Sequence, residues 1–175
     1  KAGLNQKTLQ EEQPRLAELP FLSEKRYMAT LHSCQDGKAV TYIKGSVDRV
    51  LAMSRKVLEN GMVQEMTPEK MAELEEKNVE MASKALRVMA LAYAECSPVP
   101  EQLSHEHLDG ALTLVALMGM IDPPRQEAKK AIADCKRAGI KVMMITGDQK
   151  VTAVAIADEL GLPPGEAVTG LELTQ

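Results

Sequence analysis

Aromatic side chains are nearly missing from this chain: its 175 residues include one Phe, three Tyr and no Trp. So few rings cannot build the stacked platforms on which strings of bases are read. Positive charge is also short. Lys and Arg number 21 against 25 Asp and Glu, a net charge of −4, which argues against a general nucleic-acid or anionic-membrane surface. Cysteine is sparse and scattered, at Cys34, Cys96 and Cys135. An odd number with no CxxC spacing reads as free thiols in a reducing compartment, not as a zinc site or a disulfide framework. The longest apolar run, Ala111–Ile121, falls well short of the about 20 residues that a membrane-spanning helix needs. No secretory signal opens the chain and no Met starts it, so the sequence reads as a piece of something larger. Internal repeats and low-complexity tracts are absent.

What remains is ordinary globular composition. Hydrophobic residues make up 45% of the chain, with Met, Leu, Val and Ala in place of rings, which suits one domain or two small ones. The first twenty residues are polar and mixed, broken by Pro14 and Pro20. Tyr27–Leu31 and Ala39–Lys44 read as strands, and Asp36-Gly37 between them is a hairpin signal. Ser46 is expected to cap a short helix bearing Val47, Val50 and Leu51. Asn60-Gly61 marks a further turn between the short apolar pairs Val57-Leu58 and Met62-Val63. Thr67-Pro68-Glu69 starts a helix whose buried face carries Met71, Leu74, Asn78, Met81 and Ala85. Leu86–Ala94 alternates and predicts a strand; Leu112–Met118 predicts another.

From Asp122 the pattern changes. Asp122-Pro123-Pro124-Arg125 is stiff punctuation, because two prolines cannot continue a ladder. The following residues predict a helix over 126–138 ended by Gly139, a buried parallel strand Ile140–Ile145, and a second helix Gln149–Leu160. A short strand at Ala167–Thr169 closes the run. The expected fold class is therefore α+β: an antiparallel sheet with flanking helices over residues 1–121, then a partial α/β segment over 122–175.

Several residues are placed where chemistry is possible. Thr146-Gly147-Asp148 falls between a strand and a helix, where α/β folds gather ligands; a capped turn without a ligand fits as well. Lys44 ends a strand beside free helix amides, which suits either an anion seat or a solvated lysine. Phe21 with Lys25 and Arg26 offers a ring plus cations. Arg87 interrupts an apolar strand, and burying it demands a carboxylate, a phosphate or a cleft. His32, His105 and His107 lack metal-ligand spacing with Cys or acids.

Together these residues resemble the nucleotide-binding domain, with an adjoining part of the phosphorylation domain, of P-type cation-transporting ATPases of the calcium-pump type. The similar stretches are Pro20–Met28, Lys44–Asp48, Ala85–Ala92, Asp122–Arg125 and Met144–Asp148 with Thr152-Ala153. Each is modest alone, but all five occur in the family's order across nearly the whole chain. The resemblance implies that Phe21 stacks on adenine, that Arg26, Lys44 and Gly45 line the nucleotide pocket, and that Arg87 reaches toward the ATP phosphates. It implies a hinge at Asp122 and Arg125. Thr146, Gly147 and Asp148 would be catalytic, beside the Mg²⁺-bound phosphate, and the trailing α/β segment would be Rossmann-like, of the haloacid-dehalogenase type.

There are departures. The family's Lys-Gly-Ala-Pro-Glu stands here as Lys44-Gly45-Ser46-Val47-Asp48, with the acid kept and the proline lost. Neither the DKTGT motif of the phosphorylated aspartate nor the GDGxND motif that holds Mg²⁺ occurs, and no metal ligand is expected within this sequence. A GDPTE-type acidic segment would precede Lys1. The expected function is thus the ATP-binding part of a larger pump, on the cytoplasmic side of a membrane, with ATP and Mg²⁺ as the parent's cofactors. Its partners would be the actuator and transmembrane domains, and the transported cation, calcium by similarity, would bind elsewhere. Two alternatives stand beside it: a soluble haloacid-dehalogenase-like phosphohydrolase, and a non-enzymatic nucleotide-binding regulatory module.

Overall fold

A computed structural model describes the chain apart from residues 1–2, 35–36, 101, 122–123, 149, 164, 166, 171 and 173–175. In chain order the elements are α1 (Gln6–Glu12), β1 (Arg15–Leu19), β2 (Tyr27–Ser33), β3 (Ala39–Gly45), α2 (Val47–Met53), β4 (Ser54–Glu59) and β5 (Met62–Glu65). They continue as α3 (Pro68–Ser83), β6 (Arg87–Cys96), a single 3₁₀ turn (Glu106–Leu108), β7 (Leu112–Met120), α4 (Gln126–Arg137) and α5 (Lys150–Leu160). They fall into two compact units, residues 1–75 with 89–118 and residues 76–88 with 119–175.

The first unit is organised by its sheet, whose strand order is β1-β2-β3-β6-β7-β4-β5. Period-two alternation gives the sheet two different faces. Across β2, β3 and β6 the rows Tyr27–Gly45–Ala90, Ala29–Ile43–Ala92 and Leu31–Thr41–Ala94 lie side by side, and every member of these rows is buried. The intervening rows, Met28–Lys44–Leu91 and Thr30–Tyr42–Tyr93, stay half-buried or exposed. Helix α2 packs against β3 and buries Val47, Val50, Leu51 and Met53. Each such aliphatic side chain contributes about 1.5–3 kcal/mol by leaving water.

One position leaves no latitude. A Cβ on Gly45 would stand 2.5 Å from the Tyr27 Cβ and 2.7 Å from the Arg26 carbonyl oxygen, so only glycine allows β2 and β3 to approach this closely. Tyr27 is fully buried beneath. Its hydroxyl shares a hydrogen bond with His105 Nδ1 at 2.6 Å, and burial raises its pKa above the usual phenol value. Asn60 and Gly61, with φ of 52° and 78°, make the β4–β5 turn, as a mirror-image hairpin turn requires. Lys70 on α3 reaches Glu59 at 2.7 Å and Glu73 at 2.9 Å, and hydrogen bonds to these two carboxylates raise its pKa.

Several expectations need correction. The sheet is mixed, not purely antiparallel, because β4 runs parallel to β7. That pairing joins segments far apart in sequence, which local turn signals do not reveal. The polar opening stretch, for which no element was predicted, forms α1 and β1, and β1 joins the sheet edge antiparallel to β2. Its pattern is masked because one whole face of this edge strand meets water. Ser46 stands at the N-cap of α2 but makes no side-chain capping bond, and its hydroxyl has no partner among the described residues. Its backbone N–H is instead held by the Arg26 carbonyl at 2.9 Å. The Asp36 side of the hairpin turn lies outside the described residues.

The second unit holds the end of α3 and the helices α4 and α5. A Cβ on Gly119 would meet the ends of the Met81 and Leu86 side chains at 2.7 and 3.0 Å, which would have to shift. Thr152, buried on α5, donates to the Leu86 carbonyl at 3.4 Å. Gly139, at φ 73°, ends α4 as expected. The predicted strands Ile140–Ile145 and Ala167–Thr169 do not form. Ile145 is 94% exposed. A strand meant for the interior of a parallel sheet needs a ladder on each edge, and among the described residues none pairs with this one.

Gly45→Ala is expected to destabilise the protein by about 1–3 kcal/mol, the range for overpacking. The readout is a lower urea midpoint at unchanged slope. Gly147→Ala, where a Cβ would meet nothing within 4 Å, is expected to leave the midpoint in place. Equal midpoints for the two variants would overturn this account of Gly45.

Candidate functional site

The open face of the β2–β3–β6 layer is concave. Met28 and Thr30 from β2, Tyr42 and Lys44 from β3, and Leu91 and Tyr93 from β6 line a groove of about 460 Å³. Arg15 of β1 and Val115 of β7 complete its walls. This size falls within the roughly 300–1,000 Å³ of small-ligand sites. The groove exists because strand alternation sends these side chains away from the core while β3 lies central between two neighbours.

The polar groups around it are braced. The Tyr42 hydroxyl donates to Gln13 Oε1 at 3.1 Å, and its ring leans on His32 at 5.5 Å between centroids. Burial raises the Tyr42 pKa, with the neighbouring Cys34 thiol adding to the shift. His32 holds the Gln13 carbonyl through Nδ1 at 2.9 Å and the Thr30 hydroxyl through Nε2 at 3.0 Å. The Arg15 guanidinium is taken up by Glu18 at 2.6 Å.

Three sequence-predicted residues come together at one end of this layer. Lys44 is opposite Met28, and Gly45 is opposite Tyr27. Arg26, at φ 58°, enters β2 there, and its guanidinium meets the Asp48 carboxylate at 2.6 Å. The acid retained in the Lys44–Asp48 segment therefore ties that segment to the Pro20–Met28 segment. Both partners are half exposed, so the pair contributes no more than about 1 kcal/mol. Phe21 follows β1 with its ring 59% exposed, ahead of a tight turn in which the Lys25 and Arg26 amides donate to the Leu22 carbonyl.

The remaining candidates belong to the second unit. Arg87 is not buried within its strand. It opens β6 with a side chain 72% exposed, its Nε 3.9 Å from Asp148 Oδ1. Strand ends carry no interior, so the charge needs no cleft to tolerate it. Asp148 also accepts from the Thr146 hydroxyl at 3.0 Å, and its amide donates back to Thr146 Oγ1 at 3.1 Å. Gly147 between them faces open space. Arg125 is the N-cap residue of α4 and exposed; Asp122 lies outside the described residues. Among the described residues, no three His, Cys, Asp or Glu side chains group as a metal site, and no helix is long and apolar enough to cross a membrane.

Sequence reasoning missed most of the groove. Met28, Thr30, Tyr42, Leu91 and Tyr93 were not singled out as site residues, although the hairpin register already puts Met28 and Thr30 on one face with Tyr42 and Lys44. The signal lacking was which face the rest of the chain covers.

Comparison with known proteins agrees with this architecture. The family model for the cytoplasmic domain N of P-type ATPases matches residues 1–127. A calcium-transporting ATPase of Lactococcus lactis is 42% identical over 99% of this chain and 20% of its own length. A cation-transporting ATPase of Synechocystis is 42% identical over 93% of the chain and 18% of its own length. A calcium-transporting ATPase of Bacillus subtilis is 36% identical over the whole chain and 20% of its own length. The chain belongs to the P-type ATPase family, and its residues 1–127 match the domain N of that family. It spans about a fifth of the length of the curated relatives it matches.

The Arg87–Asp148 pair is long and largely solvated. A double-mutant cycle with Arg87→Ala and Asp148→Asn is expected to give a coupling below about 1 kcal/mol that shrinks as salt is added. A salt-insensitive coupling well above that value would show the pair to be structural.

Proposed function

We infer that this chain binds ATP on the open face of its sheet, as the nucleotide-binding part of a cation pump. The observation that supports this most is the placement of Lys44 on a groove of ligand size, in a chain whose first 127 residues match the family's domain N. The groove suits a nucleotide chemically. Leu91, Met28 and the tyrosines offer apolar contact for a base, while Lys44 and Arg26 offer charge for phosphates. Phe21 supplies a further ring for the adenine, and Gly45 lets the backbone come close. Arg87 is assigned to the phosphates.

In the longer protein, residues 1–121 form the nucleotide domain and 122–175 a piece of the phosphorylation domain, completed into a Rossmann-like sheet by segments outside this sequence. Such neighbours would give Ile140–Ile145 the ladder partners it lacks. Asp122 and Arg125 mark the hinge. Thr146, Gly147 and Asp148 serve the phosphate end. Mg²⁺ is commonly held by one or two carboxylates plus substrate phosphate; its ligands are assigned to other segments of the longer protein, with Asp148 beside the Mg²⁺-bound phosphate. The parent transfers a phosphoryl group from ATP to an aspartate and couples the cycle to movement of a cation across a membrane, with this part on the cytoplasmic side. Calcium is the cation that the names of two of the relatives above support. The chain itself has no DKTGT aspartate and is expected to release no phosphate from ATP.

The test is ATP binding to the chain and to two variants, each first shown to be folded. Wild type is expected to bind in the millimolar range, about −4 kcal/mol. Phe21→Ala is expected to lose about 1–3 kcal/mol, the worth of one stacked base, and Lys44→Ala to weaken binding as well. Folded variants that both bind ATP as the parent does would overturn the assignment.

A further inference from the structure

Tyr27 opens β2, at a strand end where a chain frays most easily, yet it is fully buried. Its hydroxyl meets His105 Nδ1, and the two rings stand edge to face with centroids 5.4 Å apart. The partners are 78 residues apart in sequence. His105 is itself fixed. It stands at the N-cap of the 3₁₀ turn, its carbonyl accepts from the Leu108 amide at 3.2 Å, and Leu108 is buried in the core. Neither Tyr27 nor His105 lines the groove.

Directly ahead of Tyr27 stands Arg26, with a φ of 58°. This left-handed conformation is unfavourable for a residue with a Cβ and persists only where the surroundings fix it. Three contacts act on Arg26 itself. Its amide donates to the Leu22 carbonyl at 2.7 Å, its carbonyl accepts from the Ser46 amide at 2.9 Å, and its guanidinium meets Asp48. A fourth acts through the next residue: with Tyr27 pinned on the core side of the sheet, the chain has to turn sharply at Arg26 to enter β2. The Asp48 contact engages one Nη of the guanidinium, and the fork keeps further donors for a phosphate.

We propose that His105 is a positioning residue for nucleotide binding: it holds Tyr27 from the core side and so keeps Arg26 in the conformation that presents its guanidinium to the phosphates. The inference rests on the nucleotide reading above, in which Arg26 serves the phosphates. His105 touches no part of the ligand. Without it the Tyr27 hydroxyl is a buried polar group that has lost its partner, and the start of β2 shifts to find another. Arg26 then relaxes from its left-handed φ, and the apparent affinity falls with the fraction of molecules that keep the competent conformation.

The experiment measures ATP affinity of the 175-residue chain by NMR titration in wild type, His105→Phe, Arg26→Ala and the double variant, each first shown to be folded. His105→Phe keeps a ring against Tyr27 and cannot bond its hydroxyl. It is expected to weaken ATP binding about threefold or more, the scale of one net hydrogen bond. In the Arg26→Ala background the same change is expected to cost nothing, because the group that His105 serves is gone. His105→Gln, whose side-chain amide can bond the hydroxyl, is expected to restore affinity. Tyr27→Phe, which removes the hydroxyl and orphans no group on that ring, is expected to show the same dependence on Arg26 and serves where His105→Phe fails to fold. A loss of packing alone would lower affinity by one factor in both backgrounds and would gain nothing from Gln. Equal losses in the two backgrounds, or no loss in either, overturn the proposal while leaving nucleotide binding standing. Arg26→Ala that binds ATP as wild type does, or wild type that binds none, instead overturns the phosphate assignment and the positioning role with it.

Discussion

The contact between Gly45 and Tyr27 is the constraint from which the rest follows. No methyl group fits at Gly45, with the Tyr27 Cβ only 2.5 Å from where one would be. Close approach there holds β2 against β3 in a single register. A slip of one residue would send every side chain of the strand to the opposite face. It would place Lys44 in the core and Ile43 in water. With the register held, Tyr27 goes down to meet His105, and Met28, Thr30, Tyr42 and Lys44 come up to line the groove. The same contact carries Arg26 to Asp48. One glycine thus serves the core and the binding face together.

The energetic division of labour follows from burial. The buried rows of small and aliphatic side chains, with α2 against β3, supply the stability of the first unit. The charged groups that carry the proposed chemistry are half exposed and contribute little to folding. They are consequently free to bind: a cation already locked in a buried pair would have to break that pair before meeting a phosphate. Thr146 and Asp148 in the second unit follow the same logic. Their hydrogen bonds are local, so the loop takes its shape without being buried.

Much of this was legible from residue order. Asn60-Gly61 marked its hairpin, Thr67-Pro68 its helix, and Gly139 a helix end, since each depends on chemistry within a few residues. The five family-like segments likewise reveal the family, because each keeps its side chains in a fixed local order. What could not be read depended on distant partners. The parallel β4–β7 pairing joins strands with residues 60–111 between them. β1 is an edge strand whose apolar pattern is diluted by water on one side. Ile140–Ile145 looks like a core strand because its residues are apolar, yet apolarity states a need for neighbours and does not supply them. The groove was hidden for the same reason: alternation divides a strand into two faces and leaves open which one is covered.

The most direct measurement is amide chemical-shift mapping of the 175-residue chain as ATP is added. The account predicts saturable shifts centred on Met28 to Thr30, Tyr42 to Gly45 and Leu91 to Tyr93, the backbone beneath the groove. Saturable shifts confined to residues 119–175, with those three segments unmoved, would contradict it.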